Sequence, residues 1–83
     1  MTKIDKLIIK VLGGNSDNNI GFSELCNLIE NLGFIARVKG SHHIYYHNDL
    51  PEIINLQPKG NKAKAYQVKQ LRELILKYKL NKP

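Results

Sequence analysis

Apolar residues first recur at helical spacing, at Ile4, Leu7, Ile8 and Val11, with Leu12 widening the stripe. Thr2 followed by Asp5 reads as a capping box at the start of this helix, and Gly13-Gly14 as its stop. A polar turn over Asn15 to Asn19 follows, in which Asp17 or Asn19 is placed to cap the next helix. Phe22, Leu25, Ile29 and Leu32 form a second stripe, joined by Cys26 and Leu28 and closed by Gly33. The period then drops to two: Phe34, Ala36 and Val38 alternate with Ile35, Arg37 and Lys39, a strand with one apolar face. Gly40-Ser41 makes a turn, and His42 to His47 reads as a second strand. Asn48, Asp49 and Pro51 make another turn before a short third strand, Ile53 to Leu56. Pro58 to Lys64 reads as a basic loop. A last helix spans about Ala65 to Lys79, with Val68, Leu71, Ile75 and Tyr78 facing inward beside Leu74. Lys69, Arg72 and Lys77 are expected on its outer side, with Glu73 and Lys77 in favourable i,i+4 order.

The order helix, helix, strand, strand, strand, helix with tight turns predicts an α+β fold. Its centre is a three-stranded antiparallel meander with helices on one face and water on the other. The first helix reads as an addition packed against this unit, which divides the chain into an N-terminal helical extension, residues 1–14, and a domain over residues 20–80. At 83 residues and 42% hydrophobic content the chain suits one small domain and is too apolar for a disordered tail. No apolar run approaches the length of a membrane span, and Asp5, Lys6 and Lys10 interrupt the only N-terminal candidate for a signal peptide. A single cysteine, Cys26, cannot form an internal disulfide and points to a reducing, cytoplasmic setting.

Charge changes the picture from fold to partner. A net charge of +6 favours a polyanion or an acidic protein. Gly40-Ser41-His42-His43 sits at a hairpin tip beside Lys39 and close to Arg37. Metal-free RNA cleavage needs a base for the 2′-hydroxyl proton, an acid for the leaving oxygen and positive charge near the phosphate. His42 suits the base or the acid, Lys39 and Arg37 the phosphate, and Ser41 with the turn's N–H groups further hydrogen bonds. The plainer reading makes His42 and His43 polar hairpin residues. Lys59, Lys62, Lys64 and Lys69 are placed to follow RNA phosphates, the plainer alternative being a solvated surface. One of Tyr45 and Tyr46 belongs to the core and the other faces out, where it can stack on a base.

A zinc site from Cys26, His42, His43 and His47 fits no common ligand spacing, and Cys26 reads as a core residue without a nucleophile's local signature. Glu24, Glu30, Asp49 and Glu52 are scattered and form no magnesium-binding cluster. No metal and no cofactor is expected.

Phe22 to Leu80 resembles the HicA-type toxins of bacterial and archaeal toxin–antitoxin pairs. The resemblance rests on Leu25, Leu32-Gly33-Phe34, the run Arg37-Val38-Lys39-Gly40-Ser41-His42-His43-Ile44, a short apolar strand, and the helix Tyr66-Gln67-Val68-Lys69-Gln70-Leu71-Arg72. It implies a fold like a double-stranded-RNA-binding domain and the activity of a ribosome-independent mRNA endonuclease, inhibited by a HicB-type antitoxin. It further implies that His42, the histidine after Gly-Ser, is tied to activity and that Gly40 is the turn residue, and it assigns His43 no role. Two departures stand out: the added helix Ile4 to Leu12, and the stretch Asn55-Leu56-Gln57-Pro58 where many members carry a histidine. If a second imidazole is required there, the chain is a weak nuclease or an RNA-binding module without turnover. A third class, a structural domain whose basic face meets an acidic protein, differs from both in showing no RNA binding that depends on salt.

Overall fold

Thr2 opens the chain's first helix as the sequence predicts. In the computed structural model, which describes residues 2–80, its hydroxyl accepts the Asp5 N–H at 3.1 Å while the Asp5 carboxylate accepts the Thr2 N–H at 3.2 Å. Helix α1 (Lys3–Gly13) ends at Gly14, whose φ of +74° is left-handed and whose N–H donates to the Val11 carbonyl at 3.3 Å.

Helix α2 (Phe22–Asn31) starts differently from expectation. Its N-cap is Gly21, with no side-chain cap, and neither Asp17 nor Asn19 serves. The Asp17 carboxylate is engaged by the Arg72 guanidinium at 2.9 and 3.1 Å, and Asn19 Oδ1 accepts from Lys62 at 3.1 Å. The backbone entering α2 is satisfied instead by pairing: the Phe22 N–H donates to the Asn61 carbonyl at 3.0 Å and the Ala63 N–H to the Ile20 carbonyl at 2.9 Å.

Strands β1 (Ile35–Lys39), β2 (His42–His47) and β3 (Leu50–Leu56) form the antiparallel sheet in sequence order. Gly40 and Ser41 alone connect β1 to β2. Of the two only Gly40 has positive φ, +62°, as a type II′ hairpin requires. Strand β3 begins earlier than predicted, and Pro51 lies within it rather than in the turn. β3 is an edge strand, where a residue without an N–H forfeits no ladder bond. Between Tyr45 and His47 the β2–β3 register shifts: His47 pairs with Leu50, but Tyr45 pairs with Ile54. The basic loop also contains structure, a small hairpin of β4 (Pro58–Lys59) and β5 (Lys62–Ala63) turning at Gly60-Asn61.

Helix α3 (Ala65–Tyr78) completes the layer. Tyr45, Ile54 and Leu56 from the sheet meet Leu25, Leu28 and Ile29 of α2 and Val68, Leu71 and Ile75 of α3, and Leu7 and Val11 of α1 join the same core. Tyr45 is the core member of the tyrosine pair, while Tyr46 lies on the open face under the Arg37 guanidinium, 5.9 Å from its ring centre. The apolar face of β1 is not buried as its alternation suggested. Val38 is 58% exposed, because Ala36 and Val38 line an open groove against Phe22, Cys26 and Glu30 of α2, and only Phe34, just before β1, enters the core.

Two polar residues of α3 act structurally. Arg72 does not lie outside; it reaches back to the Val11 carbonyl and Asp17, tying α1, the following turn and α3 together. Gln67 is fully buried, accepting the Lys64 N–H through Oε1 and donating from Nε2 to the Asn55 carbonyl, both at 3.3 Å. At the other end of α3 the Tyr78 hydroxyl and the Lys77 ammonium both donate to Glu52, at 2.6 and 2.9 Å, so Lys77 is paired across to β3 rather than to Glu73.

The Tyr78 hydrogen bond first, and the Lys77 ammonium after it, hold the Glu52 carboxyl below its ordinary value of 4.5. A carboxyl depressed in the folded state adds stability that is whole above 4.5 and is lost as pH falls through the folded value. Glu52→Gln should therefore unfold at lower temperature than the parent at neutral pH and approach it in acid. Thermal unfolding followed from pH 7 to pH 3 checks this, and parallel curves across that range would refute it.

Candidate functional site

The open face of the sheet is assembled by register. Lys39 pairs with His42, Arg37 with Ile44, and Ile35 with Tyr46, while Asn55 of β3 stands opposite Ile44. Side chains directly across an antiparallel pair are immediate neighbours, so the Lys39 stem flanks His42 at the hairpin tip. The other two imidazoles lie beneath the sheet. His43 packs edge-on against Phe22, with centroids 4.9 Å apart, and His47 against Phe34 at 5.1 Å. His47 also accepts the Asp49 N–H at 3.0 Å. Neither can replace a missing imidazole on the face of His42.

What meets His42 is Gln57. Its amide nitrogen lies 2.8 Å from Nε2 and 3.2 Å from Nδ1 of the ring. The in-plane lone-pair directions of the two ring nitrogens diverge, so the amide serves one of them at a time. Lys64 sets the orientation of that amide by donating to Gln57 Oε1 at 3.2 Å, which turns the NH₂ end toward the ring. The amide nitrogen lies within hydrogen-bond distance of both ring nitrogens and can donate to the one that the tautomer leaves as acceptor. Gln57 can thus orient the His42 ring through its amide without carrying a proton itself.

A shallow cavity of about 250 Å³ opens at this point, lined by His42, Ile53, Asn55, Gln57, Tyr66 and Gln70. Beside it lies a broader cleft of about 910 Å³, lined by Asn18, Lys59, Lys62, Ala63, Lys64, Ala65 and Tyr66. The structure thus gathers Lys59, Lys62 and Lys64 in one cleft and links Lys64 through Gln57 to His42. Arg37 is two residues further along β1, over Tyr46, and Ser41 is exposed in the turn. Lys69 is exposed on α3 and lines neither cavity.

The remaining chemistry lies elsewhere. Burial pushes the Cys26 thiol above its ordinary value, with the Tyr45 hydroxyl opposing and Glu30 reinforcing. A thiol so shifted is a poor nucleophile. Among the described residues no three His, Cys, Asp or Glu side chains gather where they could share a metal ion.

Tyr66 and Gln70 escape a sequence reading as site residues, and Asn55 and Gln57 enter it only as the stretch where many members of the resembled family carry a histidine. His42 and Gln57 are fifteen residues apart. Only the register shift in β2–β3 places them together, since the pairing set by His47 and Leu50 would bring Asn55 opposite His42. Replacing Gln57 by Leu should free the ring. Long-range ¹H–¹⁵N spectra of His42 should show a hydrogen-bonded acceptor nitrogen in the parent and its loss in Gln57→Leu. Identical ring spectra for both would remove Gln57 from the site.

No helix among the described residues is long and apolar enough to cross a membrane. No curated protein and no solved structure gives a significant match to the chain. The family described as the HicA toxin of bacterial toxin–antitoxin systems matches residues 22–77, from the first residue of α2 to the last turn of α3. That span contains the sheet, the hairpin tip, the cavity at His42 and every residue of the cationic cleft except Asn18, and leaves α1 outside it. The chain belongs to the HicA toxin family, whose members generally cleave mRNA and are paired with an antitoxin.

Proposed function

We propose that this chain is an endoribonuclease toxin in which His42 performs the proton transfer of RNA cleavage without a metal ion. The observation that carries this reading is the exposed His42 ring at the hairpin tip, tied through Gln57 to a lysine of the neighbouring cationic cleft. In the proposed reaction a 2′-hydroxyl attacks the adjacent phosphorus. His42 accepts the hydroxyl proton once the 2′-hydroxyl has displaced the Gln57 amide from the accepting ring nitrogen. The 2′-O–P bond forms and the P–O5′ bond breaks, leaving a 2′,3′-cyclic phosphate and a 5′-hydroxyl. A lysine ammonium, Lys39 beside the ring or Lys64 behind Gln57, supplies the proton to the departing oxygen. Lys39, Arg37 and Ser41 face the phosphate from the hairpin, and Lys59, Lys62, Lys64 and Lys69 engage flanking phosphates. The cavity at His42 has no carboxylate in its lining, and Glu52 is occupied by Tyr78 and Lys77, which supports a mechanism without magnesium. With mRNA as substrate, the site of action is the cytoplasm.

A second reading, an RNA-binding module with little or no turnover, is favoured by one observation: His43 and His47 lie beneath the sheet, which leaves one imidazole on the working face. His42→Ala separates the two. Under the nuclease reading it should lower cleavage by about 10²–10⁴-fold, the usual contribution of a positioned acid or base. The far-ultraviolet circular dichroism should stay unchanged, because the ring is exposed. Parent activity should persist in EDTA. Cleavage of equal rate in the variant, or restored only by added magnesium, would overturn the assignment, and a parent without cleavage that still binds RNA would favour the module.

The family's antitoxin partner is proposed to be an acidic, HicB-like protein that covers His42 and the cationic cleft. Opposite charge would speed encounter and block RNA at the same surface. Hydrogen exchange on the complex with a co-expressed HicB-like protein should show protection over residues 39–46 and 57–66. A stable complex that leaves both segments unprotected and cleavage intact would exclude occlusion.

A further inference from the structure

Tyr66 lies on the first turn of α3 with 62% of its surface exposed, and it lines both the cavity at His42 and the cationic cleft. Its hydroxyl stands 3.5 Å from the Nε2 of buried Gln67, which is itself anchored to the Asn55 carbonyl. The two cavities differ in chemistry. The larger holds three lysines and suits phosphate. The smaller, apart from His42, is lined by neutral groups: exposed Ile53, the Tyr66 ring, and the amides of Asn55, Gln57 and Gln70. Among the described residues the Asn55 side chain and Gln70 Oε1 have no hydrogen-bond partner, while the Gln70 amide nitrogen makes one long contact, 3.5 Å, to the Ile53 carbonyl.

We propose that the cavity formed by Tyr66, Ile53, Asn55 and Gln70 is a nucleobase subsite, holding an unpaired base of the nucleotide next to the phosphate at His42. This rests on the nuclease reading for its placement beside the scissile bond and adds to it a substrate class, RNA single-stranded at the cut. A base has flat apolar faces and a polar edge carrying donors and acceptors. Tyr66 and Ile53 offer the surfaces for the faces, and the two amides offer donors and acceptors for the edge. A base paired in a duplex has both faces stacked and its pairing edge used, so it cannot enter. Because Tyr66 borders both cavities, a single strand can lay its phosphates along Lys59, Lys62 and Lys64 while one base turns in toward His42.

The test uses the full chain carrying His42→Ala, to prevent turnover, and short fluorescent oligoribonucleotides. Tyr66→Ala should weaken binding of a single strand by about 5–150-fold, the range of one lost base stack, whereas Tyr66→Phe should bind nearly as the parent. An oligonucleotide abasic at the seated position should lose a similar factor, and Tyr66→Ala should lose little more on it. The salt dependence should be unchanged in Tyr66→Ala and flattened by about 1.4 units in Lys62→Ala/Lys64→Ala, about 0.7 for each phosphate contact to a single strand, since only the lysines release counterions. A blunt duplex of the same length should show no Tyr66 effect. Equal affinity of Tyr66→Ala and parent for every single strand, or a Tyr66 effect that persists undiminished on the abasic strand, would overturn the subsite. Cleavage by the unmutated chain is scored separately. A nuclease indifferent to Tyr66 overturns the subsite and keeps the nuclease, whereas base-dependent binding without cleavage keeps the subsite and overturns the nuclease.

Discussion

Burial of one face of a three-stranded sheet is the constraint from which the rest of the molecule follows. Tyr45, Ile54 and Leu56 are removed from water by α2 and α3, with Leu7 and Val11 of α1 closing the end of the same core. Strand side chains alternate between faces, so committing these residues inward commits His42, Ile44 and Asn55 outward. The same alternation carries His43 and His47 inward, where Phe22 and Phe34 pack against them. One hydrophobic decision thus separates three histidines that composition alone would treat as a cluster.

A second, polar constraint brings the ends of the elements together. Gln67 is buried and satisfied by two backbone groups, the N–H of Lys64 and the carbonyl of Asn55. A buried amide left without partners is costly, so these bonds fix where α3 begins relative to the end of β3. Lys64, Tyr66 and Gln57 lie within a few residues of the two anchor points, and all three border the His42 region as a result. The small β4–β5 hairpin adds a further tie, because its backbone satisfies the entry to α2 and its lysines face the cleft. Structure and charge therefore arise from one segment, and a stretch that reads as a basic loop is ordered by the pairing of its neighbours.

The periodic elements were legible because their signals are local. The capping box at Thr2 and Asp5, the glycine stop at Gly14, the turn at Gly40 and the strand from His42 to His47 each depend on residues within a few positions of one another. The order of elements and the helix-covered meander follow from those pieces and short connections. The assignment of Lys-Gly-Ser-His as the distinctive element was also local, and the family match spans it. Less accessible were the cap of α2, where pairing with β5 displaced Asp17 and Asn19, and the inner face of β1, whose apolar alternation says nothing about how far the helix layer extends.

The sequence by itself determined the fold class, the hairpin that presents His42, and the positive charge near it. Only tertiary structure decided what His42 touches. The shift between Tyr45 and His47 moves the pairing by two residues, exchanging Asn55 for Gln57 opposite His42, and no residue-type signal marks such an irregularity. The roles of Arg72 and Gln67 were settled in the same way, by partners sixty-one and twelve residues distant. Periodicity reports which side of an element turns from water. It does not report which remote group waits there, because that depends on how the packed elements meet.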